Sequence, residues 1–295
     1  MATDTPAGAI HDIGYRHYDG ERLGRTHART ALLVDTFRAA FGLGRTTRAK
    51  VAPMLLLGVS CFPALIWVTV AGVVGMKQLP VGFAEFVVIT QVLISIFVAV
   101  LAPGAVSRDL RFRTMSLYRS RPMRASDYVL AKLLASIGAL LTFMLIPQLI
   151  LYLGGALAEI SARDELADFA RGVVMVVLLS LLLAPFGLLV AALTPRRGMG
   201  TAAIITVLLV AAGGHVFLTA VGMDIGNDSL ATWSRLLSPF ALADGIVSGV
   251  LDGMNVFPEP PIGVAECAAF VGVYVALVAG TTALLFARLR RVTVA

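Results

Sequence analysis

Residues 172–195 read GVVMVVLLSLLLAPFGLLVAALTP, twenty-four positions without one Asp, Glu, Lys or Arg. An α-helix rises about 1.5 Å per residue, so about 20 apolar residues cross the roughly 30 Å hydrocarbon core of a bilayer. This stretch clears that length. It shows no alternation of period two, which a membrane barrel strand would require. Five further charge-free stretches have the same character: Val51–Met76, Phe86–Ser107, Leu133–Ala158, Gly198–Met223 and Cys267–Ala287. The chain therefore reads as an all-α polytopic membrane protein with six transmembrane helices.

Composition agrees. Of 295 residues, 58% are hydrophobic and 14% charged, against about 25% charged in a soluble domain. A soluble globule must cover its surface, and this chain has too little polar residue to do so. A soluble enzyme, a disordered regulator and a secreted disulfide scaffold are excluded. Cys61 and Cys267 fall within or at the edge of spans and read as small buried hydrophobes.

The distribution of Lys and Arg sets an expected orientation. With six spans both termini share one side, which holds residues 1–50, the 108–132 loop, the 196–197 turn and the 288–295 tail. That side carries 20 of the 24 basic residues; only Lys77, Arg163, Arg171 and Arg235 lie opposite. Both termini are thus expected in the cytoplasm of a cell in whose plasma (inner) membrane the chain resides. The net charge of +6 follows from topology and calls for no nucleic-acid partner.

Outside the spans, residues 1–50 are polar and contain no apolar run, so the first span itself is expected to direct insertion. Within them, residues 28–43 read as an amphipathic helix. Leu33, Phe37 and Phe41 recur at i, i+4 and i+8, with Arg29, Asp35, Arg38 and Arg45 toward the other face. Such a helix just before a span is expected in the headgroup plane. Packing on the protein's own cytoplasmic face is the alternative, and both can hold. The 224–266 segment is the long extracytoplasmic loop. Its apolar part, 236–251, is interrupted by Pro239 and Asp244, so it predicts a short helix or helical pair dipping into the outer leaflet. In the last span Ala268, Gly272, Ala276 and Gly280 form a small-residue stripe at four-residue spacing, expected as a helix-packing face.

The chemistry is sparse. A phosphate-cradling loop ends in Gly-Lys-Ser/Thr, but Lys50, Lys77 and Lys132 follow Ala49, Met76 and Ala131. The chain is expected to hydrolyse no ATP itself and to be no enzyme. The four histidines lack metal-ligand spacing, so no metal site is expected. The spans carry no carboxylate, which argues against an ion-driven carrier. His215 is the one ionisable group at depth. It reads either as a substrate or proton site, or as a neutral imidazole bonded to a neighbouring helix.

The informative loop runs from Arg108 to Lys132. Leu110, Met115, Leu117, Tyr118 and Val129 are too many apolar groups for a solvated connector, Pro122 breaks the middle, and Ser126 can cap the helix that follows. A short helix offered to a soluble partner and a plain positive-inside loop both fit this pattern. Asp109, Thr114, Leu117-Tyr118, Ser120-Arg121-Pro122, Tyr128 and Lys132 resemble the loop between spans 2 and 3 of ABC-2 type transporter permeases. Arg113 and Ala131 depart from that pattern, standing where the family often has Gly. The segment from Tyr15 to Arg25 is similar to the start of actinobacterial permeases of this type.

The resemblance implies the membrane subunit of a bacterial exporter that works by alternating access. Its partners would be two copies of a separate ATPase, which bind ATP and Mg, a second permease (identical or related), and membrane lipids; the chain itself would hold no cofactor. Asp109, Thr114, Leu117, Tyr118, Arg121 and Pro122 are the residues it implies for contact with the ATPase. The rival from another class is a module that works without ATP, a secondary carrier or a membrane anchor for another complex.

Overall fold

The computed structural model describes residues 20, 23–76, 78–112, 123–157, 162–194, 197–251, 256–258, 260–261 and 263–294. The regular structure among them is helical. In chain order it comprises α1 (Arg25–Ala40), α2 (Thr47–Val74), α3 (Phe83–Ile89), α4 (Gln91–Ala105), α5 (Ser107–Arg111), α6 (Ala125–Leu157), α7 (Ala162–Leu193), α8 (Arg197–Asp224), α9 (Asp228–Ser234), α10 (Pro239–Leu251) and α11 (Val264–Val294). A 3₁₀ turn, Arg235–Leu237, joins α9 to α10. Six helical stretches are long and apolar enough to cross a membrane: α2, α4 continuing into α5, α6, α7, α8 and α11.

The second charge-free stretch does not form one uninterrupted helix. It breaks at Thr90, whose φ of −89° and ψ of 7° stop α3 before α4 begins. Its hydroxyl donates to the Phe86 carbonyl at 2.9 Å. Glu85 and Asp168 fix the start of α3: the Gly82 N–H donates to Glu85 Oε2 and the Phe83 N–H to Asp168 Oδ2, at 3.1 Å.

The centre of the bundle is made by α4, α6 and α7. α6 packs on α1, α2 and α7, while α4 packs on α7 and α8, and α10 and α11 close the far side of α7. Phe97 of α4 stacks on Phe143 of α6 with centroids 4.2 Å apart and planes 9° from parallel. Side-chain hydroxyls and an amide tie neighbouring helices through their carbonyls. Ser107 donates to Ala191, Thr201 to Ala99, Tyr274 to Leu178 and Gln148 to Phe83. In a hydrocarbon surround such bonds hold helices that gain nothing from burying apolar surface. Gln148 is fully buried. α2, α8 and α11 sit on the outside and bury only one edge each.

The turn from α1 into α2 depends on Gly42, which has φ +68°. A Cβ there would lie 2.4 Å from the Ala49 carbonyl oxygen and 2.8 Å from Lys50 Cα, both backbone atoms. Gly44 has φ +76°, but a Cβ on it would meet nothing within 4 Å. Gly42→Ala is therefore expected to lower stability by more than the roughly 1–3 kcal/mol of left-handed strain alone. Gly44→Ala should cost only the strain. Thermal unfolding of the two detergent-solubilised variants checks this; equal losses would show that the close approach at Ala49 does not matter.

Candidate functional site

Two groups of polar side chains stand out, one at each end of the bundle. The first lies at the basic end, where α1, α5 and α6 meet. Arg25, the first residue of α1, donates through Nε to Asp127 Oδ2 at 2.6 Å and through Nη2 to Oδ1 at 2.8 Å. This two-point geometry is the strong form of an arginine–carboxylate pair. Asp127 is 2% exposed while the Arg25 side chain is half open to solvent. The hydrogen bond to Asp127 holds the Arg25 guanidinium above its ordinary pKa.

Asp127 also accepts the Arg124 N–H at 2.9 Å. A carboxylate in the first turn reaching back to the N–H before the helix is one half of a capping box. The sequence points to Ser126, followed by Asp127, for capping this helix; the contact with the Arg124 N–H is made by Asp127. One turn along, Tyr128 donates to Asp109 Oδ2 at 2.7 Å, and Lys132 Nζ lies 3.2 Å from the same oxygen. The ammonium sits 5.5 Å from the Tyr128 ring centroid. The two ends of the 113–122 segment are thereby tied: α5 through Asp109, and α6 through Asp127, Tyr128 and Lys132.

Of the residues expected to contact a partner, Asp109 belongs to this frame. Thr114, Leu117, Tyr118, Arg121 and Pro122 lie outside the described residues. The amphipathic helix begins at Arg25 and ends at Ala40, earlier at both ends than 28–43. Its apolar face is used by the protein: Leu33 and Phe37 pack against the core, and Phe41 is buried against Phe97, with centroids 5.7 Å apart. The small-residue stripe faces the other way. Ala268, Gly272 and Ala276 are exposed and Gly280 half-buried, while Phe270, Tyr274, Leu285 and Leu289 make the inward edge of α11. The stripe packs against no part of the described chain at Gly272 or Gly280, where a Cβ would have open space.

The second group lies toward the opposite end, where α8, α9 and α10 converge. His215 is 2% exposed, with Nδ1 3.0 Å from Ser234 Oγ and 3.3 Å from Thr219 Oγ1; Thr219 and Ser234 are 2.8 Å apart. Ser234 spends its only hydroxyl proton on the Ala231 carbonyl, at 2.7 Å. The three side chains thus form one hydrogen-bonded group that ends on the Ala231 carbonyl. α9, through Ser234, is the neighbouring element to which the His215 ring bonds. Beside it Arg235 and Asp244, both 0% exposed, approach to 3.7 Å. Arg235 also donates to the carbonyls of Phe257 and Pro258, and the Phe257 ring stands edge-on to His215. The 236–251 stretch, read as a short helix or helical pair, carries one helix, α10, with α9 before it at 228–234, and positions 241–248 of α10 are all buried within the protein.

Sequence reasoning missed Arg25, Asp127 and the Arg235–Asp244 pair. The only local signal for Asp127 was its place after a turn and before an apolar run. For Arg235 it was a lone cation in an acidic loop. No group of three or more His, Cys, Asp or Glu able to hold a metal ion occurs among the described residues.

Comparison with known proteins adds one positive finding. A family model described as ABC-2 family transporter protein matches residues 62–287, more than half of the chain. No curated protein matches.

Proposed function

We infer that this chain, which belongs to the ABC-2 family of transporter proteins, is the permease of an exporter powered by a separate ATPase. Membrane domains of this family are typically non-catalytic, and the family implies an ATPase partner. In this reading the end that carries α1 and the 113–122 segment faces the cytoplasm, following its excess of basic residues. Two ATPase subunits, which bind the ATP and Mg, act on two permeases, and their closure turns the pair from inward-open to outward-open. Coupling demands that each nucleotide state favour a different permease conformation.

One observation carries the reading. Asp109, Tyr128 and Lys132, with Arg25 and Asp127 beside them, join α1, α5 and α6 into one frame around the expected contact segment. A push delivered to residues 113–122 would then reach the ends of two spanning helices and the amphipathic helix together, instead of being absorbed by a slack loop. Mild-detergent extraction of the tagged chain from its native membranes tests this. A soluble protein with a phosphate-binding loop should co-purify in about equal amount. A preparation without any nucleotide-binding partner and without ATPase activity would overturn the reading and favour a module that works without ATP.

A further inference from the structure

A cavity of about 760 Å³ opens at the basic end between α1, α2, α4 and Lys132 of α6. That volume is in the range of ligand pockets, roughly 300–1,000 Å³. Its wall is graded. Arg45 and Arg48 stand on the α1–α2 turn and the first turn of α2, and both are exposed. Pro53, Leu101 and Gly104, from the first turns of α2 and the last turns of α4, line it as well. Polar groups at the water side and apolar groups along two spanning helices match the section of a bilayer at headgroup depth.

The charges are unequally matched. Lys132 is held by Asp109 at 3.2 Å. Neither Arg45 nor Arg48 has an ion pair among the described residues. Asp35 is the one acid on the lining, so the two free guanidiniums leave it net positive. Guanidiniums bind phosphate oxygens by paired N–H groups. From the cavity, the outer face of α2 runs through exposed Val51, Leu55, Val59 and Phe62, a track on which acyl chains can lie.

The geometry points to a binding site for the phosphate headgroup of an anionic membrane lipid, with Arg45 and Arg48 clamping the phosphate and the acyl chains running along α2. This goes beyond the transporter reading: it requires only that the chain sit in a membrane. A lipid seated there would bridge the amphipathic helix to the first and second spans.

The test uses the full-length chain in detergent, with dioleoyl-phosphatidylglycerol as probe and dioleoyl-phosphatidylcholine as comparison, read as lipid adducts in native mass spectrometry. Phosphatidylglycerol should be retained in preference. At about 1 kcal/mol per basic residue at an anionic surface, Arg45→Ala with Arg48→Ala should weaken it by about tenfold or more. A Cβ on Gly104 would meet nothing within 4 Å, so Gly104→Trp should plug the cavity and weaken binding with all charges kept. Arg288→Ala with Arg291→Ala, two exposed cations on α11, should leave it unchanged. An equal loss in that control, or full binding in the plugged variant, overturns the site. So does displacement of the lipid by millimolar inorganic phosphate, which would make this a site for the free anion.

Discussion

Arg235→Ala is expected to destabilise the chain by about 3–5 kcal/mol, the loss typical when one partner of a buried ion pair is removed. Arg235 and Asp244 are both 0% exposed and 3.7 Å apart. Without the guanidinium the Asp244 carboxylate stays inside with its counter-charge gone. The carbonyls of Phe257 and Pro258 lose their donor as well. The pair is costly to break and of little net worth when intact, because taking two charges out of water consumes most of their attraction. Adding Asp244→Leu to Arg235→Ala should therefore recover much of the loss, since the stranded charge goes too. Denaturant or thermal unfolding of the three variants in one detergent measures this. If the double variant is no more stable than Arg235→Ala, the pair is not what the buried cation serves.

Asp109→Ala is expected to cut permease-dependent ATPase activity of the assembled complex by about tenfold, the equivalent of one charged hydrogen bond of roughly 1.5 kcal/mol, with membrane levels of the chain maintained. One oxygen of Asp109 takes both the Tyr128 hydroxyl and the Lys132 ammonium. Its loss frees α5 from α6 at the base of the 113–122 segment. Asp109→Asn should show an intermediate loss, because the amide oxygen still accepts from Tyr128 while the charge is gone. Arg25→Ala should do less than either, since the half-exposed guanidinium gives a screened contribution. Wild-type ATPase stimulation in Asp109→Ala would remove the frame from the coupling path.

The spans were legible because hydrocarbon tolerates no charge and the chain obeys that rule in six long runs. What the rule does not encode is continuity. The break at Thr90 has no proline or glycine at its site; what marks it is the Thr90 backbone, at φ −89° and ψ 7°, with its hydroxyl turned back on the Phe86 carbonyl. The same holds for the polar groups. Arg25 and Asp127 are 102 positions apart, and no local pattern joins them. Asp244 was read as a reason why residues 236–251 could not span a membrane. Its partner, on a separate turn, is what allows that helix to be buried nonetheless. The stripe on α11 shows the reverse case: its spacing predicts a packing face, but not that the face points away from the described chain. The resemblance in the 108–132 loop led to the family, and the tertiary contacts supplied Arg25 and Asp127, the part of the frame that resemblance did not mark.

The seat of α10 also sets an order of events during synthesis. Its Gly245 lies against the Phe270 ring, a Cβ there falling 2.5 Å from it, and its Gly249 lies against Cys267. Both partners belong to α11, which leaves the ribosome after α10. The contacts of α10 with α7 and α8 can form before the last spanning helix is made, whereas those with α11 cannot. The seat of α10 is therefore completed last. The final helix acts as the closing stave of a cask: it holds in place a piece that was made before it.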